Sequence, residues 1–463
     1  MVTKSKSPIT AESIYSELIN KKISKVTAID FLISLIEGSN NDEIRIKSIE
    51  ILSKISLKNN KVFKILENIL ISDENPSIRA IAAKIMINNF ADRGYSSLNW
   101  TIQHENSCLV FKTLLDSINR IKSSNLKILN KMIEERLATI YGVVPDEALF
   151  LLDLEIEVNF FNIDYLKIYS TNTVYGVINS NYMMCAIKNG HITALNLSNW
   201  GLSSLPNSIG NLNKLKYLIL KNNNLKTIPE SISSLHRLRT LNLSGCKIVN
   251  LPNAITNLKK IKNLSLCQNF NLNLIPQSII IMAKKFLSMK YIREGVNPSE
   301  AFILALMEIL SGSKLKKIKA DELIIYKDEA CNYKINENGH VIGIYIFNSH
   351  LSNLTTFPNQ VCSLEYLEEL ELPNNDIKII PDSIGNLNNL QRLNLRNNMI
   401  EIVPESLNKL KNLNCLKLSG NRIKIIPKWI NKKLDKFESS EDLNGFKKYF
   451  FGIPISEIIR KYK

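Results

Sequence analysis

Histidine and cysteine are the side chains in this sequence that could most readily support metal or nucleophilic chemistry. The five histidines show neither the HExxH spacing nor another spacing that would place two metal ligands side by side on a helix. The seven cysteines are scattered without a CxxC pair, and no neighbouring base is present to activate one of them as a nucleophile. We therefore predict no catalytic residue, no metal site and no cofactor, and we expect the protein not to be an enzyme.

Two further possibilities for chemistry are a P-loop and the pair of histidines that follow Asn-Gly. A P-loop requires GxxxxGK[ST], and the sequence has none, which argues against a fused GTPase. His191 and His340 each follow an Asn-Gly pair, at corresponding places in two similar segments. A functional role is one interpretation of this coincidence, but a position in a turn or at the start of a strand explains it more simply. We interpret both histidines in the second way.

Length, cysteine usage and apolar segments narrow the class of protein. At 463 residues the chain exceeds the size at which one core stops growing, so several packing units or an elongated repeat array are expected. The longest apolar stretches, such as 301–307, are too short to cross a bilayer, and the N-terminus lacks the apolar segment of a secretory signal. Because the cysteines are odd in number and scattered, they resemble reduced cytosolic thiols, and we predict a cytoplasmic protein without a membrane span.

A leucine-rich motif recurs at a fixed interval through the second half of the chain. The pattern LxL-x-x-(N/C)-x-(L/I)-x-x-(L/I)-P occurs in two runs, which we call the first run and the second run. Its leucines and prolines are Leu195, Leu218, Leu241 and Leu264 with Pro206, Pro229, Pro252 and Pro276 in the first run, and Leu370, Leu393 and Leu416 with Pro358, Pro381, Pro404 and Pro427 in the second. Only Pro276 is displaced from the period, by a single position. We predict eight coils in two groups of four.

The spacing has a direct physical meaning. The LxL leucines point inward from a short strand, an asparagine such as Asn223 or Asn398 hydrogen-bonds the turning backbone, and the segment after the proline returns along the opposite side. No coil can bury its leucines alone, so stacked coils share one core and one parallel sheet. An array of amphipathic helices is excluded because the prolines would interrupt each helix. The pattern resembles the leucine-rich repeat in its 23-residue form, and this resemblance implies a binding or scaffolding role.

The same signals precede both runs. NGHITALNLS at 189–198 and NGHVIGIYIF at 338–347 place Asn-Gly between two alternating segments, which predicts a β-hairpin that begins each solenoid and covers its exposed edge. Upstream, VPDEALFLLDLE at 144–155 matches NPSEAFILALME at 297–308 and predicts a helix. Short strands are predicted between helix and hairpin at 164–169 and 321–326. The duplicated unit is therefore helix, short strand, hairpin and four coils.

The N-terminal part of the chain has a helical periodicity instead. Three similar segments, which begin at Asn41, Asn75 and Asn106, follow one another at nearly even intervals. Asn75 and Pro76 suit the N-cap and the first position of a helix. This part resembles HEAT repeats, with a non-repeating helical bundle as the alternative. The order of HEAT-like and leucine-rich repeats resembles repeat proteins of prokaryotes, particularly archaea.

The predicted fold is an α-helical, HEAT-like N-terminal solenoid followed by two leucine-rich-repeat runs of the α/β solenoid class, each with a parallel sheet started by a β-hairpin. We expect the HEAT-like domain at residues 1–140, the first leucine-rich-repeat module at 141–292 and the second at 293–463. The tail after Ile430 lacks further coils and is predicted to form a helical cap.

The concave faces of the two runs are the predicted partner sites. Side chains alternate along a strand, so the residues between the buried leucines face outward on the concave side. These positions are mostly neutral in the first run, whereas those of the second run include aromatic and charged residues of the kind that anchor partners. The predicted partner-binding residues are Tyr345, Phe347, Glu369, Glu371, Arg392, Asn394, Arg396 and Lys417.

Basic columns are predicted on the first run. The chain carries a net charge of +16, and Glu230 is the only acidic residue between positions 191 and 282. The columns, whose successive members stand one repeat apart, are Lys214, Arg237 and Lys260, and Lys216, Arg239 and Lys262. Equivalent residues of adjacent coils lie about 4.8 Å apart, so these like charges repel unless counterions or an acidic partner offset them. The alternative interpretation is that the columns are an ordinary solvated surface of a lysine-rich chain and bind no partner.

These observations predict a non-enzymatic scaffold or adaptor that binds proteins, including acidic ones, through the concave faces and the HEAT-like surface. One alternative is a regulatory subunit of a signalling enzyme, such as a small GTPase or a kinase. Another is a protein that binds a polyanion through the basic columns. Nucleic acid is disfavoured as a partner because no aromatic side chains for base stacking lie between the cations.

Overall fold

A computed structural model describes residues 10–55, 59–121, 124–158, 184–269, 275–320, 331–347, 354–424, 427 and 429. The described residues fall into two compact units. The first unit lies within Met1–Ile168 together with Asn189–His191, and the second within Tyr169–Lys188 and Ile192–Lys463. The predicted strands at 164–169 and 321–326 and the predicted cap after Ile430 lie outside the described residues.

The first unit is built from helices up to Glu157. Its helices are α1 (Ala11–Ile19), α2 (Lys25–Gly38), α3 (Asp42–Ile55), α4 (Asn60–Ser72), α5 (Pro76–Phe90), α6 (Tyr95–His104), α7 (Cys108–Ile118), α8 (Ser124–Tyr141) and α9 (Pro145–Glu157). The Asn75 side chain accepts a hydrogen bond from the Ser77 amide, and Pro76 opens α5, as the sequence predicts. The local signals for helix starts therefore act as expected.

These helices form two layers. The odd-numbered helices α1, α3, α5, α7 and α9 contact one another in chain order, and the even-numbered helices α2, α4, α6 and α8 do the same. Apolar side chains such as Leu32, Ile49, Ile78 and Phe111 are buried between them. Layers of alternating helices are what stacked helical hairpins produce, and the arrangement is consistent with a HEAT-like part.

A ladder of ion pairs joins successive odd-numbered helices. Arg45 of α3 contacts Asp73, which lies just before α5. Arg79 holds the corresponding place on α5 and donates two hydrogen bonds of 2.8 and 2.9 Å to Glu105, which lies just before α7. The bond to Glu105 raises the pKa of Arg79 above its ordinary value. The period seen in the sequence is thus also the period of the contacts between repeats.

The second unit contains two sheets. The first sheet consists, in spatial order, of β1 (Met184–Lys188), β2 (His191–Asn196), β3 (Tyr217–Ile219), β4 (Thr240–Asn242) and β5 (Asn263–Ser265). The second sheet has the strands β6 (Lys316–Lys317), β7 (Asn332–Ile335), β8 (Val341–Tyr345), β9 (Glu369–Glu371), β10 (Arg392–Asn394) and β11 (Cys415–Lys417), and runs from β11 to β6. Strands β2–β5 and β8–β11 are parallel, which gives the four coils predicted for each run.

The repeat period sets the register of both sheets. Leu195, Leu218, Leu241 and Leu264 are direct neighbours across β2–β5, and all four are buried. After the prolines the chain forms short 3₁₀-helices on the opposite side, at Asn207–Asn211, Glu230–Ser234, Asn253–Asn257, Asn359–Ser363, Asp382–Asn386 and Glu405–Lys409. Each of these coils therefore has a strand and a 3₁₀-helix that enclose a single leucine core.

Asparagine side chains hold the turns between strand and return segment. Nδ2 of Asn223 donates to the carbonyls of Leu197 and Leu220, both at 2.8 Å, and its Oδ1 accepts from the Leu202 amide at 2.9 Å. Asn269, Asn375, Asn398 and Asn421 repeat this arrangement. The buried backbone groups that a tight coil would leave unpaired are thus satisfied, as the sequence predicts.

Both predicted hairpins are present, but their turns differ. In the first, Asn189 and Gly190 form the turn by themselves and both have positive φ, 52° and 73°, which suits a two-residue type I′ turn. In the second, the amide of Asn336 donates to the carbonyl of His340 at 2.9 Å, so the turn begins before its Asn-Gly pair. The parallel strand β6 also lies beyond β7, so the second hairpin does not form the outer edge of its sheet.

Helices close the end of the first run. After β5 the chain forms α10 (Gln277–Met282), a π-helical turn (Ala283–Leu287), α11 (Met289–Arg293) and α12 (Pro298–Ser311). The amide of Leu266 donates to the carbonyl of Ile309 on α12 at 2.8 Å. Helix α12 therefore covers the edge that the last coil would otherwise expose to other chains.

Candidate interaction surfaces

The two histidines that follow Asn-Gly each lie against a glutamate of the preceding helix. Nδ1 of His191 lies 2.9 Å from Oε1 of Glu147 on α9, and Nδ1 of His340 lies 2.8 Å from Oε1 of Glu300 on α12. Both glutamates are buried. Each pair is accompanied by a backbone hydrogen bond of 2.8 Å. The amide of the residue before the helix donates to the carbonyl of the turn glycine, from Val144 to Gly190 and from Asn297 to Gly339. The interpretation of these histidines as turn and strand-start residues agrees with this geometry.

Three groups of the first unit, Glu155, Tyr141 and Cys108, are enclosed by the helices. Burial raises the pKa of Glu155 to about 7, and the hydroxyl of Tyr141 donates to it at 2.8 Å. Burial also raises the pKa of the nearby Cys108 thiol to about 11. All three side chains are buried, so a dissolved substrate does not reach them. The cluster is part of the core.

Four further thiols are also kept protonated. Burial raises the pKa of Cys246 to about 11 and raises those of Cys331, Cys362 and Cys415 as well. A protonated thiol is a weak nucleophile and a poor metal ligand at neutral pH. Among the described residues, no group of three or more His, Cys, Asp or Glu side chains is placed to hold a metal ion.

The predicted residues of the second run occupy two columns across the sheet. One column is Gly343, Glu369, Arg392 and Cys415, and the other is Tyr345, Glu371, Asn394 and Lys417. Phe347 and Arg396 follow the strands β8 and β10. The repeat period therefore brings the predicted residues together on one face.

Several members of this face are buried and bonded to one another. Nδ2 of Asn394 donates to Oε2 of Glu371 at 2.6 Å, Nε of Arg392 lies 3.8 Å from the same carboxylate, and the Tyr345 hydroxyl donates to Glu369. Burial and the bond to Glu369 raise the pKa of Tyr345. Tyr345, Phe347, Glu371 and Asn394 are buried, Glu369 and Lys417 are half-buried, and Arg392 and Arg396 are exposed. The exposed part of the face is thus cationic and rests on a fixed polar network.

The basic residues of the first run do form columns. The amide of Arg239 donates to the carbonyl of Lys216, and the amide of Lys262 donates to that of Arg239, both at 2.7 Å. In the other column, Arg237 and Lys260 line one groove of about 480 Å³ and are exposed, whereas Lys214 is half-buried. Backbone bonding therefore places Lys216, Arg239 and Lys262 next to one another on adjacent coils.

A larger cavity, which we call the cationic cavity, lies where the first run meets α11 and α12. It has a volume of about 910 Å³. Its charged lining residues are Lys221, Arg239, Lys259, Lys260, Lys262, Lys290, Arg293, Lys314 and Glu308. Glu308, the one acid in this lining, accepts from Nζ of Lys290 at 2.8 Å and from the Leu315 amide at 2.7 Å. Its charge is therefore already offset within the protein.

Comparison with known families decides the nature of the two runs. A family model described as a leucine-rich repeat region matches residues 176–320, and a second, described as a leucine rich repeat, matches residues 365–423. Both runs therefore consist of leucine-rich repeats. No curated protein matches the chain at a significant level.

The solved structures that resemble this chain cover about half of it. A leucine-rich-repeat protein of Leptospira interrogans is 26% identical over 50% of this chain and 56% of its own, with a TM-score of 0.24. The plant peptide hormone receptor RGFR1, solved with RGF2, is 23% identical over 51% of this chain and 36% of its own, with a TM-score of 0.23. Internalin C2 of Listeria monocytogenes is 22% identical over 51% and 74%, with a TM-score of 0.22.

The cationic cavity also includes residues that the repeat pattern does not reveal. Lys290, Arg293 and Lys314 lie outside the repeat period, on α11 and just after α12, yet they share the cationic cavity with Lys262. The density of lysine and arginine between 284 and 319 is the sequence signal that could have pointed to them. Among the described helices, none combines the length and the hydropathy needed to span a bilayer.

Proposed function

We propose that this leucine-rich-repeat protein is a non-enzymatic scaffold that holds partner proteins on the outward faces of its two runs, with the HEAT-like surface as a further contact region. The observation that carries the proposal is the register of the parallel strands, which brings the aromatic and charged side chains of successive coils into columns on one face of a shared core. Rigid, regularly spaced side chains lose little conformational entropy when they bind. Leucine-rich repeats in general serve as interaction modules, which supports the same role.

The second run offers the most defined contact. Arg392 and Arg396 are exposed, whereas Glu371 and Asn394 behind them are buried and hydrogen-bonded. Glu371 lies 3.8 Å from Nε of Arg392, and exposed arginines are typical anchors of protein interfaces. A partner surface with carboxylates at matching spacing would complement them. The seven cysteines are free thiols in the structure, which supports a cytoplasmic location for this interaction.

Affinity capture from the native cell, followed by mass spectrometry, tests this proposal. The variant combines Arg392→Gln with Arg396→Glu; glutamine is chosen at 392 because a glutamate there would face Glu371. The matched control combines Lys409→Glu with Lys411→Gln, which changes the same charge at exposed positions outside the strands. We expect the first variant to lose a set of partners that the control retains. Identical partner lists for the parent, the variant and the control would refute the role of this face.

A second candidate function is binding of a polyanion through the basic columns. It is favoured by the single acid, Glu230, among residues 191–282, a segment that contains ten lysines and arginines. Binding of this kind weakens steeply with salt because counterions are released from the polyanion. Gel-shift measurements with DNA and RNA at low salt test it, and the absence of a shift for both would eliminate this candidate.

A further inference from the structure

The lining of the cationic cavity has a large excess of positive charge. We propose that it binds an acidic segment of a partner protein, in which several carboxylates flank an apolar side chain. The inference rests on the proposed scaffold function and specifies the chemistry of one partner and the place where it binds.

The charge balance of the cavity is the first argument. Eight lysines and arginines line it against one acid, Glu308, whose carboxylate is held by Lys290 and the Leu315 amide. Within the described part of the chain, no carboxylate lies within 4.0 Å of the cationic groups of the other seven. Like charges held this close repel one another, so an anionic ligand that enters the cavity relieves the repulsion as well as gaining attraction.

The walls of the cavity come from separate elements. Arg239 and Lys262 belong to one basic column and are fixed by the backbone bond between their coils. Lys290 and Arg293 lie on α11, in a segment that packs on α12. Cations on two walls can contact carboxylates on two sides of an extended chain, which a single flat basic surface cannot do. The cavity therefore favours an inserted segment over a molecule that lies on top of it.

The apolar lining distinguishes a protein segment from a bare phosphate compound. Phe286, Leu287 and Met289 contribute to the same cavity, and Met289 is 47% exposed. A polyphosphate would leave these side chains uncovered, whereas an apolar side chain between carboxylates would bury them. Six of the eight cations are lysines, and ammonium groups lack the planar fork with which arginine binds phosphate through two bonds.

Fluorescence polarisation with the full-length protein tests the inference. The probe is a fluorescein-labelled peptide of glutamates with Phe-Leu at its centre. The cavity variant combines Lys262→Glu with Arg293→Glu, and the matched control combines Lys226→Glu with Lys247→Glu, exposed residues of the first run outside the cavity. Both variants remove the same total charge. We expect the cavity variant to weaken binding about tenfold or more and the control about twofold or less, because only the former changes contacts of the bound peptide.

Three results would overturn the inference. No binding of the peptide at low salt would eliminate the site, and equal weakening by both variants would show attraction to the overall charge instead of to the cavity. Tighter binding of inorganic polyphosphate or of single-stranded DNA than of the peptide, with the same dependence on Lys262 and Arg293, would assign the cavity to another class of ligand. Circular dichroism and melting curves check that both variants fold. If peptide binding fails while the Arg396 variant still loses partners, only this inference fails and the scaffold proposal stands.

Discussion

Replacement of Asn398 by alanine tests the physical basis of the whole repeat. This side chain is buried, and its Nδ2 donates to the carbonyls of Leu372 at 2.9 Å and Leu395 at 3.1 Å, while its Oδ1 accepts from the Ile377 amide at 3.0 Å. Alanine leaves these three backbone groups without that partner. At roughly 1 kcal/mol for each bond, we expect the coil to lose about 3 kcal/mol of stability.

Hydrogen exchange measures this loss at the site itself, which matters because repeat arrays need not unfold in a single step. A loss of about 3 kcal/mol corresponds to roughly hundredfold faster exchange of the Ile377 amide, since about 1.4 kcal/mol is a factor of ten. The control is Asn388→Ala, at an exposed asparagine in a turn of the same run. If Asn398→Ala changes exchange and melting no more than Asn388→Ala does, the asparagine ladder is not what holds the coils.

The first run offers the reciprocal experiment. Cys246 occupies the asparagine position of its coil and donates through Sγ to the Leu220 carbonyl at 3.2 Å. By analogy with Asn223, the change Cys246→Asn would add bonds to the Leu243 carbonyl and the Leu225 amide. We expect a gain of about 1–2 kcal/mol, read as a higher melting temperature. A lower melting temperature would show that packing outweighs hydrogen bonding at this position.

Two further predictions concern buried carboxylates. The pKa of Glu155 is raised from 4.5 to about 7, so the native state holds this proton more tightly than the unfolded chain does; stability is highest below about pH 4.5 and falls as the pH rises through about 7. Glu155→Gln should abolish up to about 3 kcal/mol of that fall, and melting curves at pH 5 and pH 8 that remain as far apart as in the parent would contradict this. Glu300→Ala removes the acceptor of the His340 ring, at 2.8 Å, and of the Val341 amide, at 2.6 Å, and should cost about 2–4 kcal/mol. Hydrogen exchange of the second hairpin measures it, with Glu337→Ala, an exposed acid of the same turn, as the control; equal protection in the two variants would speak against this contribution of Glu300.

The repeat architecture could be predicted from the sequence because its determinants recur at a fixed interval. Leu218 and Leu241 stand one repeat apart, and that interval alone implies that they are neighbours across the sheet. The cationic cavity could not be predicted in the same way, because it depends on how α11 and α12 pack on the last coil. The contact between Leu266 and Ile309 follows from three-dimensional packing and has no counterpart in the repeat period.

The burial of predicted contact residues was equally hard to foresee. Alternation along a strand places Tyr345 and Glu371 on the outward face, and they do lie there. Their side chains are nevertheless buried: the Tyr345 hydroxyl donates to Glu369, and Glu371 accepts from Asn394 and lies 3.8 Å from Nε of Arg392. Strand periodicity gives the direction of a side chain, whereas its accessibility depends on its neighbours.

Helix α12 contacts both runs: its carboxyl-terminal part bonds the last coil of the first run, and Glu300 near its start bonds the hairpin of the second. Each new copy of a gene segment that encodes helix, hairpin and coils would therefore supply a helix that covers the last coil of the preceding run. Tandem duplication could lengthen such a chain without leaving an unpaired sheet edge that promotes association with other chains. Deletion of a copy, in contrast, would expose the last coil of the preceding run unless the next helix packed against that coil.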